Sequence, residues 1–447
     1  MNARNAQIMM KTPIDFQIVN RAIQQSNIPD LGLATIREIV KIVNVIEAES
    51  GEKFIRMEMG VPGLKPPEVG TQAEIEALKS GVAAIYPMLD GIQPLKDETS
   101  RFVKNFMNID VNPVGCVPTV GSMQGGYATF MLVSNLDPKK DTALFIDPGF
   151  SVQKTQFKVM GHKFAQFDVY NYRGAKLRNK LEEFASKGNI NSIIYSNPNN
   201  PSWICFTEEE LQIIGDIANK YDLIVLEDLA YFAMDFRNDF SKPGVFPYQP
   251  TVANYTNNYI LLISSSKAFS YAGQRIGLLC ISDALYCREY PNLKERFGVA
   301  SLGYVLIQRL IYAFSSGVCH STQYGMAAML KAANEGTFNF VEEVKEYGEK
   351  AAIMKRIFTE NGFQLVYDKD IDRELADGFY FTISYPGMQS GELIKKLLYY
   401  GISAIGLITC GSERTEGLRA CVSQVKRSQF PDLEKRVKQF HADYSVG

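Results

Sequence analysis

Five short apolar runs recur along the first two thirds of the chain, at residues 116–120, 143–146, 192–195, 223–226 and 259–263. Each is rich in β-formers and ends in polar or glycine-rich residues. Runs of this length with little alternation predict strands buried on both faces of a parallel sheet. Helical patterns separate most of them. Ile36, Ile39, Val40, Val43 and Ile46 fall at helical spacing with charges between them, and further helices are expected over about 68–80, on to Phe106, and over 127–136. A short strand starting at Phe54 runs into the turn Gly60-Val61-Pro62-Gly63. From about Gly303 the pattern changes to helices, including a long one between Val341 and Asn361, followed by strands at 363–366, 378–383, 402–408 and 417–422. The succession predicts an open α/β sheet with its ligand site along the carboxyl ends of the strands, and a smaller α+β unit closing over it.

Composition narrows the function classes. The 447 residues leave room for two or three domains, and 46% hydrophobic with 21% charged residues is ordinary for a globular protein. The net charge of −2, with no long run of either sign, speaks against a nucleic-acid partner. No apolar stretch reaches the roughly 18 residues of a membrane span, and the amino terminus lacks a secretory pattern, so no membrane association and a cytoplasmic location are expected. Seven cysteines without a Cys-x-x-Cys pair predict reduced, mostly buried thiols, and three histidines without ligand spacing argue against a metal site or a histidine triad.

The chemistry concentrates at the ends of the strands. Past the run 259–263 the chain reads Ser264-Ser-Ser-Lys267, with Arg275 eight residues on and Gly277 after it. An amine here can condense with an aldehyde, and the hydroxyls with the guanidinium can hold a phosphate; a solvated lysine after a strand would look the same. The turn Gly121-Ser122-Met123-Gln124-Gly125-Gly126 opens a helix and so presents N–H groups at its positive end, although tight packing at a turn is an equal reading. Phe150 follows the run 143–146, a dense turn spans 196–202, and Asp228 stands three residues before Tyr231 after the run 223–226. Tyr86, ahead of a helix, reads by itself as a surface aromatic.

Taken together these residues, in this order, resemble the aspartate-aminotransferase-like superfamily, the fold-type I pyridoxal-phosphate enzymes of aminotransferase class I/II, from about Gly60 to Val422. The resemblance implies an α/β fold. A large domain would hold a mostly parallel seven-stranded sheet flanked by helices, beside a smaller α+β domain. Residues 1–60 would be an amino-terminal arm, 61–305 the cofactor domain and 306–447 the small domain. It implies pyridoxal 5′-phosphate as cofactor. Lys267 would form its internal aldimine and move the substrate proton, and Asp228 would pair with the ring nitrogen. Tyr231 and Asn200 would bond the ring oxygen, and Phe150 would stack on the ring. The backbone of Ser122 and Met123, the hydroxyls of Ser264 and Ser266, and Arg275 would hold the phosphate. Arg419 would clamp the substrate carboxylate beside Gly60 and Asn200, and Tyr86 would reach the phosphate of a neighbouring subunit in a homodimer. The substrates implied are an L-amino acid and a 2-oxo acid, in a ping-pong sequence. A lyase or decarboxylase on the same scaffold uses the same residues. A cofactor-sensing regulator would need a DNA-binding domain in front, and the residues before Gly60 show neither a basic character nor a helix-turn-helix. One residue departs from the family pattern. Trp203, the chain's single tryptophan, follows Asn200-Pro201-Ser202 where glycine is usual. A large indole is not expected at the positive φ glycine takes there, so the turn is expected to follow another path or to bury the ring nearby.

Overall fold

The computed structural model describes residues 11–445. Its main sheet has seven strands: β1 (Cys116–Val120), β2 (Thr142–Asp147), β3 (Lys163–Asp168), β4 (Ile190–Ser196), β5 (Ile224–Leu229), β6 (Tyr259–Ser264) and β7 (Ile276–Ile281). The five apolar runs supply β1, β2, β4, β5 and β6. The spatial order is β1-β7-β6-β5-β4-β2-β3, parallel except that β7 runs antiparallel to both its neighbours. The direction of β7 follows from chain length, because residues 265–275 are too few for the helical crossover that a parallel return needs.

That topology brings distant residues to one edge. Ser196 is in register with Asp228, Asp228 with Leu262, Ser264 with Gly277, and Val120 with Ile276. The carboxyl ends of β1, β4, β5 and β6 and the amino end of β7 therefore open onto the same side.

Both sheet faces are covered. One core holds Phe102, Phe269, Leu330 and Phe340 against the sheet; the other holds Phe130, Leu262, Leu306 and Ile311. Segment 306–341 thus packs on the main sheet. A third core joins the amino-terminal arm to the carboxyl-terminal part: helix Ile36–Ser50, capped by a reciprocal Thr35–Glu38 box, buries Ile39, Ile42, Val43 and Ile46 among Leu393, Leu397 and Phe440. Ile55–Arg56 pairs in parallel with Ile402–Ser403, and Tyr380–Ser384, Leu418–Cys421, Ile405–Gly406 and Gln364–Leu365 form a four-stranded antiparallel sheet. The long helix expected between Val341 and Asn361 is two helices, Phe340–Val344 and Glu346–Thr359, separated at Lys345. Five of the seven cysteines are buried and none of the seven is in a disulfide. No helix among the described residues is long and apolar enough to cross a membrane.

Candidate functional site

Strand β6 ends at Ser264 and turns at once into one helical turn, Ser265–Ala268, which carries Lys267. Ser264 Oγ accepts the Ser266 N–H at 3.1 Å, and Ser265 Oγ donates to the Ile276 carbonyl at 2.6 Å, which ties the turn to β7. The Lys267 amine lies 5.9 Å from the centroid of the Phe379 ring. Burial pushes its pKa down from 10.5 to about 8, and the nearby Arg275 and Arg419 charges act in the same direction.

Asp228, on β5, faces the same edge. Its Oδ2 accepts from Gln153 Nε2 at 2.8 Å and its Oδ1 from the Ala230 N–H at 3.0 Å, while burial raises its pKa to about 6. Gln153 is a site residue the sequence did not disclose. It sits in the helix Ser151–Met160 that starts just after Phe150, and its one signal is a buried amide on the face shared with Phe157. Phe150 itself is half-buried at the N-cap of that helix.

Beyond β1 the helix Gly121–Val133 has no side-chain cap, which leaves the N–H groups of its first turn available at the positive end of the dipole. Two glycines let the neighbouring groups close in. A Cβ on Gly121, whose φ is 62°, would lie 2.5 Å from Arg275 Nη2, and one on Gly277 would lie 2.7 Å from the Ser122 nitrogen. Arg275 also spends one N–H on the Ala272 carbonyl at 2.9 Å, and its remaining donors stand over this cradle.

At the other end of the edge Arg419, on Leu418–Cys421, is only 2% exposed. Its Nη2 donates to the Glu58 carbonyl at 2.7 Å, its Nη1 lies 3.4 Å from Asn200 Oδ1, and its Nε has no partner. No carboxylate among the described residues pairs with this guanidinium, whose carbon stands 4.6 Å over the Tyr380 ring. A buried cation without a counter-ion is costly, and the orphaned N–H marks where an anionic group fits.

Trp203 corrects one expectation. The turn keeps the left-handed conformation, with φ of 64°, despite the indole, and the ring is buried as well. The backbone N–H of Trp203 donates to the Asn199 carbonyl at 2.9 Å and the backbone N–H of Asn199 to the Ile204 carbonyl at 2.9 Å, which together fix the turn. The ring packs 5.3 Å from Tyr231 and 6.2 Å from Tyr380, centroid to centroid. It lies so close to Gly378 that a Cβ there would come within 2.0 Å of its Cε2. The magnitudes explain the choice: left-handed backbone costs about 1–2 kcal/mol, whereas burying some 200 Å² of aromatic surface returns about 5 kcal/mol.

Tyr231 is buried three residues past Asp228 and shares a 2.8 Å hydrogen bond with the Tyr380 hydroxyl, which lies against Gly60. Lys267, Asp228, Tyr231, Asn200, Ser264, Ser266, Arg275, Ser122, Met123, Phe150, Arg419 and Gly60 thus border one edge. Tyr86 does not join them. It is 87% exposed on a surface loop beside the exposed Ile85 and Met88.

Comparison with known proteins follows the same outline. The family model described as aminotransferase class I and II matches residues 52–436. A probable aspartate aminotransferase of Methanocaldococcus jannaschii is 23% identical over 383 residues, covering 85% of this chain and 91% of that protein. The aspartate aminotransferase of Pyrococcus horikoshii is 26% identical over 356 residues, 78% of this chain and 81% of its own length. Among solved structures, an aspartate aminotransferase from Thermus thermophilus with maleate has a TM-score of 0.70 at 15% identity over 95% of this chain and 98% of its own, a likeness of fold.

Proposed function

The chain belongs to the aminotransferase class I and II family and is a transferase of amino groups; we propose that it moves the amino group of an L-amino acid to a 2-oxo acid, in a ping-pong sequence, on pyridoxal 5′-phosphate held at the strand edge just described. The observation that carries this reading is a pair of basic side chains at one edge, half-buried Lys267 and buried Arg419, neither in a salt bridge among the described residues. One is an amine depressed toward neutrality and the other a fork without its anion. When bound, the cofactor supplies an aldehyde for amines and a ring that accepts electrons from the neighbouring carbon.

The roles of the chain's own residues follow from position. The first-turn N–H groups at Ser122 and Met123, the Ser264 and Ser266 hydroxyls, and Arg275 would hold the phosphate. Phe150 would cover the ring face, and Asp228, aimed by Gln153, would keep the ring nitrogen protonated. Tyr231 and Asn200 would bond the ring oxygen. Arg419, with Asn200 and the Gly60 backbone, would orient the substrate carboxylate so that its α-proton faces Lys267, whose amine takes that proton and returns it. Tyr86, with Ile85 and Met88, offers an exposed apolar surface that would pack against a second copy in a homodimer with a shared site. In this reading residues 61–305 form the cofactor domain and the arm 1–60 with residues 306–447 the smaller one, of which 1–10 and 446–447 lie outside the described residues, while segment 306–341 is laid against the main sheet. The absence of disulfides among the seven cysteines favours the cytoplasm.

Lys267 sets a pH signature. Only its neutral amine condenses with an aldehyde, so the rate at which apoprotein takes up the cofactor should rise about tenfold per pH unit below about 8 and level off above it. Stopped-flow absorbance measures this. A rate that does not change across that range would remove Lys267 as the reacting amine.

A further inference from the structure

Tyr380 is not among the residues the sequence singled out, and the transfer just described does not use it. It is buried on strand Tyr380–Ser384, in register with Cys421 of the strand that carries Arg419. Three contacts fix its ring. The Arg419 guanidinium carbon is 4.6 Å from the centroid, the Trp203 ring is 6.2 Å away, and the tip abuts Gly60, where a Cβ would lie 2.0 Å from the hydroxyl. Its hydroxyl makes one hydrogen bond among the described residues, accepting from the Tyr231 hydroxyl at 2.8 Å.

Two hydroxyls joined in this way share a single proton between them at any moment. If Tyr231 turns its own proton toward the ring oxygen of the cofactor, the 2.8 Å contact remains a hydrogen bond only when Tyr380 donates into it. Tyr380 is 2% exposed, so solvent does not compete for that proton. Burial raises the Tyr380 pKa, and the Arg419 charge over its ring works against that rise, so the hydroxyl keeps its proton and can donate it. Hydrogen bonds in series polarise one another, and Tyr231 becomes the better donor in turn.

We propose that Tyr380 is a positioning residue that acts on the cofactor's ring oxygen through Tyr231, as the far end of a two-tyrosine hydrogen-bond chain held between Trp203 and Arg419. The proposal rests on the reading that Tyr231 faces that oxygen. A donor there holds negative charge on the oxygen and lowers the proton affinity of the adjacent nitrogen, so weakening the donor raises the pH at which the cofactor's visible absorption band titrates.

The test is a spectrophotometric pH titration of the loaded wild-type protein, Tyr231→Phe, Tyr380→Phe and the double variant. Cofactor affinity is followed in parallel by quenching of Trp203, the chain's single tryptophan and a neighbour of both tyrosines. Tyr231→Phe should raise the midpoint by about 1–2 units, the value of one hydrogen bond to a charged group. Tyr380→Phe should raise it by about 0.3–0.6 of a unit, and the double variant should go no further than Tyr231→Phe alone. A Tyr380→Phe midpoint equal to wild type while Tyr231→Phe shifts would overturn the chain and leave the cofactor reading intact. So would a double variant whose shift is the sum of the singles, because Tyr380 would then act independently. A wild-type protein that neither develops the band nor quenches Trp203 would overturn the cofactor reading and this proposal with it.

Discussion

Lys267→Ala will give a folded protein that develops no aldehyde-derived visible band with pyridoxal phosphate and has lost transamination by more than about 10⁴-fold, the upper range for a positioned acid–base group. The protein should not become less stable in the process. The amine's pKa falls from 10.5 unfolded to about 8 in the folded apoprotein, so below pH 8 its charge costs the native state about 3 kcal/mol. That penalty fades as pH rises from 8 toward 10.5, because the unfolded chain then binds more protons than the native one. Thermal melts of the two apoproteins should therefore show the variant at least as stable as wild type at neutral pH, with wild type gaining as pH rises. Retention of the band in the variant would assign the reacting amine to another residue.

Arg419→Leu should lower kcat/KM for amino acids by about 10²–10³-fold, the cost of removing one member of a desolvated charge pair. The effect should be confined to substrates that carry the carboxylate. An amine of the same side chain without it should react equally poorly with both proteins, so the ratio of the two kcat/KM values is the quantity to measure. The apoprotein should tolerate the change, because a cation with an orphaned Nε and no carboxylate partner among the described residues gives way to an apolar side chain of similar length. A variant equally impaired on both substrates would place Arg419 in a structural role.

The strand edge was legible because its chemistry is local in sequence. Each apolar run ends within a few residues of a polar group that cannot be buried alone, and Asp228, Lys267 and Arg275 each stand close to a strand end. β7 is not marked in the same way although Ile276–Ile281 is buried throughout, because it follows β6 without an intervening helical crossover. β3 carries mostly exposed and half-buried residues, as an edge strand does, and no continuous apolar run marks it. The residues that aim the site were the hardest to read. Gln153 reaches Asp228 from 75 positions away, and Tyr380 meets Tyr231 across 149, so only the folded chain puts them together.

Trp203 shows the limit in the other direction. A local rule, that a bulky residue avoids positive φ, was set aside by burial against Tyr231, Tyr380 and Gly378, none of which is near it in sequence. Trp203 therefore takes a left-handed turn and lines it with its buried ring. It puts an indole behind the two tyrosines on the side of the site where the ring oxygen and the substrate carboxylate would lie.

The most direct measurement is a single half-reaction. Loaded protein is mixed with each of a panel of amino donors, without any acceptor, while the visible band and the products are followed. Amino transfer predicts that at least one donor bleaches the band with stoichiometric release of its 2-oxo acid and no free ammonia, and that added 2-oxo acid restores the band. Sustained release of ammonia or carbon dioxide with the band retained, or no bleaching with any donor, would contradict it.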